Sequence, residues 1–402
     1  MKKIAKNIFA TALLFAPFSA FGFETATIIN STTKAWSNDI DEVDKFEDLD
    51  FDNRETLTLS AKQPLKNDGS QYIAVEGNVA YKYVNDATGH SDDLTTADLT
   101  LLKYTGVFEL GDAKSVMNIG RFFVSDYTGL VFAQTSDGAM FQHLENKAQA
   151  SVYAGWTGLL NAQNVTMLDS TEFSYDRDKL YDFASSYFVG SMSLSFPYVI
   201  FNQTLSAECI SLFGTDGING DNSQTWRLYG TVALNGPLAS NVFYTAYSTF
   251  AKEAEKDMMN LSALMLDFYP GYKDIDIGAS FYYATAEKDG KSAFKGITSQ
   301  TATLSFEEPQ YSALLKAGSA FSIKPIPSIL AKLGADAVFA YHDEEGKMAP
   351  NGNLGYHGFQ VFVNASYQIF TDLKANLSFS DFIGKEKMSN KIMGTFGLTL
   401  AL

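Results

Sequence analysis

Hydrophobic and polar residues alternate with a period of two over many segments of this chain. Clear examples are residues 226–234, 275–283, 360–369 and 373–380. A period of two places successive side chains on opposite faces of an extended strand. The polar faces consist mainly of Ser, Thr, Asn, Gln and Gly rather than mixed charges, which favours a water-filled lumen over the outer face of a soluble sandwich. The pattern predicts strands of about ten residues with one face in lipid and one in water.

The segments between these strands alternate in length. Short turns are predicted at 66–69, 111–114, 235–238, 271–274 and 371–373. Long polar connections are predicted at 37–53, 85–95, 125–147, 215–223, 287–299 and 343–356. Seventeen strands result, a weak one at 165–170 would make eighteen, and 299–323 is too long for a single strand. We therefore predict an all-β, transmembrane, antiparallel up-and-down barrel of about 16 or 18 strands, with short periplasmic turns and long outer loops.

The amino-terminal region has the pattern of a secretory signal. Three lysines precede an apolar run at 8–16, and small residues follow at 20 and 22, which predicts a signal peptide over residues 1–22 and one barrel domain over 23–402. After residue 22 no uninterrupted apolar stretch reaches about 18 residues, the length that a membrane helix needs. If the protein lies in a membrane, we therefore expect it to cross the membrane with strands.

Charge and composition narrow the choice of partners. Removing 22 residues from 402 leaves 380, and the loss of three lysines takes the formal charge from −16 to −19. This acidic balance argues against nucleic acid as a partner, because phosphate binding needs clustered Lys and Arg. The single cysteine, Cys209, excludes an internal disulfide. A large secreted β protein with a closed core is the alternative that composition leaves open.

The last eleven residues alternate like a membrane strand. The face predicted to point outward carries Phe396, Leu398, Leu400 and Leu402. This ending resembles the closing strand of bacterial outer-membrane β-barrel proteins, although that family commonly ends on an aromatic residue and this chain ends on leucine. The resemblance implies an outer-membrane location, contact with membrane lipid, and recognition of the last strand by the barrel-assembly machinery.

A second resemblance concerns the run Gly120-Arg121-Phe122. General porins commonly carry a Gly-Arg pair on their fifth strand, and the outer loop that follows it folds into the lumen. The resemblance implies that residues 125–147 form a constriction loop with an apolar patch that pins it to the inner wall. Its acids Asp126, Asp137 and Glu145 would then line the narrowest part of the pore.

Strand parity predicts which charged residues face the lumen. The expected bases of the lumen wall are Lys82, Lys103, Arg121, Arg227, Lys316 and Lys332. Arg121 shares parity with Ile119 and reaches the lumen only with a bulge or a break in the strand. Wall acids are expected at Glu76, Glu109, Glu208, Asp267, Asp276 and Asp336. Loop acids opposite wall bases would create a transverse field, unless these charges are simply solvated wall residues.

Residues typical of catalysis or metal binding are sparse. The four histidines have no accompanying Ser, Asp or Cys motif, so we expect neither an enzyme nor a cofactor or metal site. The acidic run 39–52 has no EF-hand spacing, and a solvated loop is a simpler interpretation than a cation site.

Two functional hypotheses remain. The first is a porin that passes small hydrophilic solutes and ions, as a monomer or a homotrimer. The second is an outer-membrane adhesin or structural barrel that acts through its surface loops. The two differ in whether the lumen is open and whether the loop after Arg121 folds inward.

Overall fold

The protein is described here by a computed structural model covering residues 24–37, 49–86, 90–165, 179–214, 226–254, 256–271, 275–285, 292–298, 315–342, 352–385 and 390–402. The predicted signal peptide, most of the weak strand at 165–170, and most of the acidic run at 39–52 lie outside these residues. The strands are β1 (Glu24–Ser37), β2 (Asp50–Pro64), β3 (Gln71–Asn85), β4 (Ser91–Leu110), β5 (Ala113–Ser125), β6 (Ala133–Leu144), β7 (Gln149–Trp156), β8 (Tyr187–Ile200), β9 (Gln203–Gly214), β10 (Trp226–Ala239), β11 (Val242–Glu253), β12 (Met259–Phe268), β13 (Ile275–Ala284), β14 (Leu315–Ile326), β15 (Ile329–His342), β16 (Asn353–Gln368), β17 (Leu373–Gly384) and β18 (Lys391–Ala401).

The eighteen strands form one closed antiparallel sheet. Each strand pairs with the next in the chain, and β18 returns to pair with β1, for example at Thr33 and Phe396. Closure satisfies the backbone groups that open sheet edges would leave unpaired. The predicted up-and-down barrel is confirmed, with the larger of the two expected strand numbers. Within the described part of the chain, no helix is long and apolar enough to cross a membrane.

Connections at one end of the barrel are short. Two residues join β4 to β5, β8 to β9, β10 to β11 and β14 to β15, at 111–112, 201–202, 240–241 and 327–328. The turn predicted at 235–238 is wrong, because those residues belong to β10. Its Gly-Pro sequence marks a register shift between Pro237 and Ala239 instead of the turn itself. Glycine and proline in a strand commonly indicate such an irregularity.

The outer face of the barrel is apolar over neighbouring strands. Leu333, Val363 and Phe379 lie side by side on β15, β16 and β17 and are all exposed on the barrel's outer surface. On the closing strand, Phe396 is exposed and pairs with Leu377, and Leu402 at the end of the chain is also exposed. Leu398 and Leu400 share the face of Phe396 and lie beside Ala375 and Leu373. This face is the natural contact for lipid chains.

Strand β6 was not predicted, because its residues lie inside the predicted loop 125–147. Its Ser136-Asp137-Gly138 sequence resembles a turn. In the structure Gly138 permits close approach of β7, because a Cβ atom there would lie 2.3 Å from the carbonyl oxygen of Ala154. The long segment predicted at 299–323 is represented by β14, which begins at Leu315, and residues 299–314 lie outside the described chain.

Candidate pore constriction

The upper part of the β5–β6 hairpin leaves the barrel wall. Pairing of β5 with β4 ends at Arg121 and Leu102, whereas pairing with β6 continues to Ser125 and Ala133. Gly120 lies at this point with a φ of +117°, and a Cβ atom there would lie 2.1 Å from the carbonyl oxygen of Leu102. Only glycine fits such a conformation and contact without strain. Gly120 therefore marks the position at which the hairpin bends into the lumen.

Apolar side chains hold the hairpin against one side of the lumen. Phe122, Val124, Val131 and Phe132 are buried in a cluster with residues 294 and 297 of the connection between β13 and β14. The wall contributes buried residues from strands β7 to β13, among them Tyr153, Val189, Ile210, Leu212, Tyr229, Tyr247 and Leu261. A barrel of this size cannot be filled by its wall residues alone, so the hairpin fills much of this half.

Polar contacts fix the hairpin tip, residues 126–132, across the lumen. The backbone N–H of Tyr127 donates to the Glu208 carboxylate on β9 at 2.7 Å, and its hydroxyl accepts a hydrogen bond from Asn235 on β10. The backbone N–H of Ile297 donates to the Val131 carbonyl at 2.6 Å, and that of Ala133 donates to Thr298 Oγ1 at 2.7 Å. The tip is thus held four strands away from its origin, and it narrows the lumen.

Asp126 organises the tip and does not face the predicted bases. One carboxylate oxygen accepts from the backbone N–H groups of Val131 and Phe132, at 3.0 and 2.8 Å. The other accepts from the backbone N–H and the hydroxyl of Thr128. Asp126 is only 6% exposed. Asp126 thus has a structural role within its own turn, and its predicted contribution to a transverse field stays a prediction.

Substituting Asp126→Ala is expected to loosen the tip. The change leaves two buried backbone N–H groups without their acceptor, at a cost of roughly 2–4 kcal/mol. We expect a lower urea midpoint for unfolding in lipid vesicles and greater current noise through single channels. Glu145→Ala is the matched control, since it removes an acid at the other end of the same hairpin, and both properties should stay as in the wild type. Equal effects of the two variants would contradict this role.

Glu145 lies far from the constriction. It is in the turn between β6 and β7, where its backbone N–H donates to the carbonyl of Ala148 at 2.9 Å. The turns at this end are the short ones, opposite the end from which the hairpin folds inward. Its predicted place in the constriction is wrong, because residues 133–144 form a strand that carries the chain across the barrel. The inward loop is the shorter segment 126–132.

Asp137 pairs with Arg121 at the base of the hairpin. The guanidinium donates through Nε and Nη2 to the two carboxylate oxygens, both at 2.8 Å. It also donates to the carbonyls of Leu99 and Leu159, at 3.0 and 2.7 Å, and to the Tyr181 hydroxyl at 3.1 Å. Arg121 is 6% exposed. This pair is therefore a buried structural junction, and the break at Gly120 takes Arg121 out of the wall without exposing it to the pore.

A second segment occupies the position beside β4 that the hairpin leaves. We call it the strap, residues 157–165 and 179–186. The backbone N–H of Ala97 on β4 donates to the Leu180 carbonyl at 3.0 Å, and Asn161 Nδ2 donates to the Ala97 carbonyl at 3.1 Å. Leu180 and Phe183 are exposed apolar residues. The strap thus continues the wall where β5 and β6 depart, and Arg121 joins it to the hairpin through Leu159 and Tyr181.

Most predicted lumen bases are neutralised by an acid close by. The pairs are Lys82 with Asp52 at 3.1 Å, Arg227 with Glu253 at 3.5 Å, and Lys316 with Asp336 at 3.1 Å. Lys103 and Lys332 have no ion-pair partner among the residues that the structure describes. Lys103 lies beside Gly120 in the β4–β5 register, and Lys332 lies on the opposite, polar side of the lumen. The predicted array of loop acids facing wall bases is therefore absent from the described chain.

The partners of the hairpin tip were only partly predictable. Glu208 was expected in the lumen from its parity on β9, but nothing in the sequence pairs it with the Tyr127 backbone. Asn235, Thr298 and the strap gave no signal. They belong to a strand and two connections that are far apart in the sequence, and only the folded chain brings them together.

Comparisons with known proteins support the fold. No protein-family model and no curated protein sequence matches the chain. Among solved structures, it is similar to Pseudomonas aeruginosa OpdQ (10% identity, TM-score 0.61) and to the outer membrane protein opdK of the same organism (8%, 0.57). It is also similar to Acinetobacter baumannii OccAB4 (11%, 0.59), and in all three the match covers 94% of this chain and 98% of the other. The chain therefore shares the fold of these three structures, one of which is described as an outer membrane protein.

Proposed function

We propose that this chain is an outer-membrane porin that passes small hydrophilic solutes and ions by diffusion. The observation that carries the proposal is the β5–β6 hairpin, which is folded into the lumen and fixed to β9 and β10 through Tyr127. Such a hairpin narrows a wide barrel. The neutral and charged polar residues on the other side of the lumen, from β14 through β18 to β3, leave a hydrated path.

The same proposal accounts for the features of the closing strand, β18. The apolar outer face of β18 fits contact with lipid, and its sequence fits recognition by the barrel-assembly machinery. We propose no catalytic role. A homotrimer stays a hypothesis whose test is the oligomeric state of the purified protein.

Single-channel recording tests the proposal. The mature chain, residues 23–402, is refolded and inserted in planar bilayers. We expect stable steps of about nanosiemens order in molar salt, because an 18-stranded barrel retains an aqueous path beside its hairpin. A salt gradient measures ion preference in the same recording.

The competing function is a surface-binding barrel with a blocked lumen. Circular dichroism and reduced gel mobility after heating establish that the protein in the bilayer is folded. If folded protein inserts and stays silent, the porin proposal is wrong and the adhesin hypothesis becomes the better one.

A further inference from the structure

One side of the lumen carries a continuous patch of neutral polar residues. In one row, Asn364, Ser378 and Thr395 are successive register partners on β16 to β18. In the next row, Ser366, Asn376, Gly397 and Thr32 are successive partners on β16, β17, β18 and β1. We call these two rows the polar patch. At about 4.8 Å between strands and about 7 Å between rows, it measures roughly 14 by 7 Å.

The side chains of the patch are available to a solute. In the described chain, Asn364, Asn376, Ser366, Ser378 and Thr395 make no side-chain hydrogen bond. Hydroxyls in other parts of the barrel bond to each other, as in Thr231 with Thr249 at 2.9 Å and Ser151 with Ser193 at 2.7 Å. A cavity of about 400 Å³ lies against the patch. This volume is within the usual range for small-molecule sites.

An aromatic ring borders the patch. Phe362 precedes Asn364 by two residues on the same face of β16, and its ring lies against Gly334. A Cβ atom at Gly334 would come within 2.1 Å of the Phe362 ring, so only glycine lets the ring occupy this position. Small-molecule sites commonly combine an apolar surface with a few directed polar groups.

Charge does not dominate the centre of the patch. Lys332 lies outside the patch beside Asn364 at one end of the first row, on β15, and Lys34 lies outside it beside Thr395 at the other end, on β1. The Lys34 ammonium lies 4.6 Å from the centre of the Trp36 ring, and its cross-strand partner is Asp52. Between these ends both rows hold only amides, hydroxyls and a glycine. The recognition that such a surface offers is hydrogen bonding.

We infer that the polar patch is a binding site for hydroxyl-rich, uncharged ring solutes of monosaccharide size. Sugar hydroxyls bond to the Asn364 and Asn376 amides and the adjacent hydroxyls, and the apolar face of the sugar ring rests near Phe362. The inference rests on the proposed function, because a solute reaches the patch only through an open lumen. It adds that the hydrated lumen selects solutes by hydrogen bonding more than by charge.

The test measures D-glucose uptake by swelling of liposomes that contain the mature chain. For the wild type we expect uptake that saturates with glucose concentration. In the double variant Asn364→Leu/Asn376→Leu, which keeps the branched shape of the side chain and removes its hydrogen-bonding groups, we expect at least a five-fold slower and non-saturating uptake. Potassium chloride conductance should stay within about two-fold, since the pore width is kept. Val363→Leu, on the lipid face of β16 next to Asn364, is the control and should behave as the wild type.

Lys332→Gln separates this inference from an anion site. We expect it to leave glucose uptake unchanged. The inference is overturned if glucose uptake is unchanged in a conducting Asn364→Leu/Asn376→Leu channel, or if Lys332→Gln slows uptake as much as the double variant. A wild-type protein without conductance overturns the proposed function together with this inference, whereas a conducting wild type with linear glucose uptake overturns the inference alone.

Discussion

Replacing Arg121 by methionine is expected to destabilise the barrel by about 3 kcal/mol or more, because breaking a buried ion pair leaves its partner charge unpaired. Arg121 donates to both oxygens of Asp137 and to the carbonyls of Leu99 and Leu159. Methionine matches the unbranched stem of arginine but has no donor. The Asp137 carboxylate and two carbonyls then lose their partner in a poorly hydrated junction. The buried Asp98 carboxylate, 3.8 Å from Arg121 Nη1, loses its ion pair as well.

The same substitution should also affect the channel. Arg121 connects the inward hairpin to the strap through Leu159 and Tyr181, so its loss releases two elements at once. We expect frequent transitions between conductance levels in single-channel records, where the wild type gives one steady level. Unfolding by urea in lipid vesicles measures the change in stability.

The double variant Arg121→Met/Asp137→Leu is the control for the ion pair. It removes the Asp137 carboxylate and leaves only Asp98 without the arginine, so part of the lost stability should return. Arg121→Lys should restore little, since an ammonium cannot bond both carboxylate oxygens and two diverging carbonyls in the same way. An Arg121→Met protein with the urea midpoint and the steady current of the wild type would show that the junction is not structurally important.

The barrel itself could be predicted because the alternation that identifies each strand lies within that strand. Alternation over 360–369 or 373–380 identifies the lipid face without knowledge of the neighbouring strand. Strand β6 was missed for the opposite reason. Its Ser136, Asp137 and Gly138 serve contacts to β5 and β7, with Asp137 bonding Arg121 and Gly138 admitting the β7 backbone. These residues look like a turn until their partners are known.

The inward fold of the segment after Arg121 was predicted, but the contacts that its acids make were not. The Gly120-Arg121 pair indicated that the following loop folds inward, and the hairpin does so. The acids were assigned to the pore because an acidic residue in a loop has no predictable partner. In the structure Asp126 binds the N–H groups of its own turn, and Asp137 binds Arg121. Such contacts depend on the path of the backbone, which periodicity does not encode.

Trimming the hairpin is expected to enlarge the channel about two-fold or more in conductance. The variant replaces residues 124–134 with Asn-Gly, a dipeptide that closes a two-residue turn between Phe123 and Thr135. It removes the whole tip and its contacts with Glu208 and Asn235. The junction of Arg121 with Asp137 is kept, so the strap and the base of the hairpin stay in place.

The conductance should rise because the tip fills part of the lumen. Val124, Val131 and Phe132 are buried within the lumen, and their removal gives this space to water. Single-channel conductance in molar salt measures the change. Neutral polymers of graded size measure the width separately, because a polymer that enters the lumen lowers the current, and larger polymers should enter the trimmed channel than the wild type.

A substitution on the exposed face of the hairpin provides the control. Phe123 is 62% exposed, whereas its neighbour Phe122 is 3% exposed, so Phe123→Leu changes little of the packing and should conduct like the wild type. If the trimmed protein is folded and its conductance and polymer cutoff are unchanged, the narrowest part of the pore lies outside this hairpin. The tip would then serve to brace the wall between β5 and β9 rather than to restrict the solutes that pass.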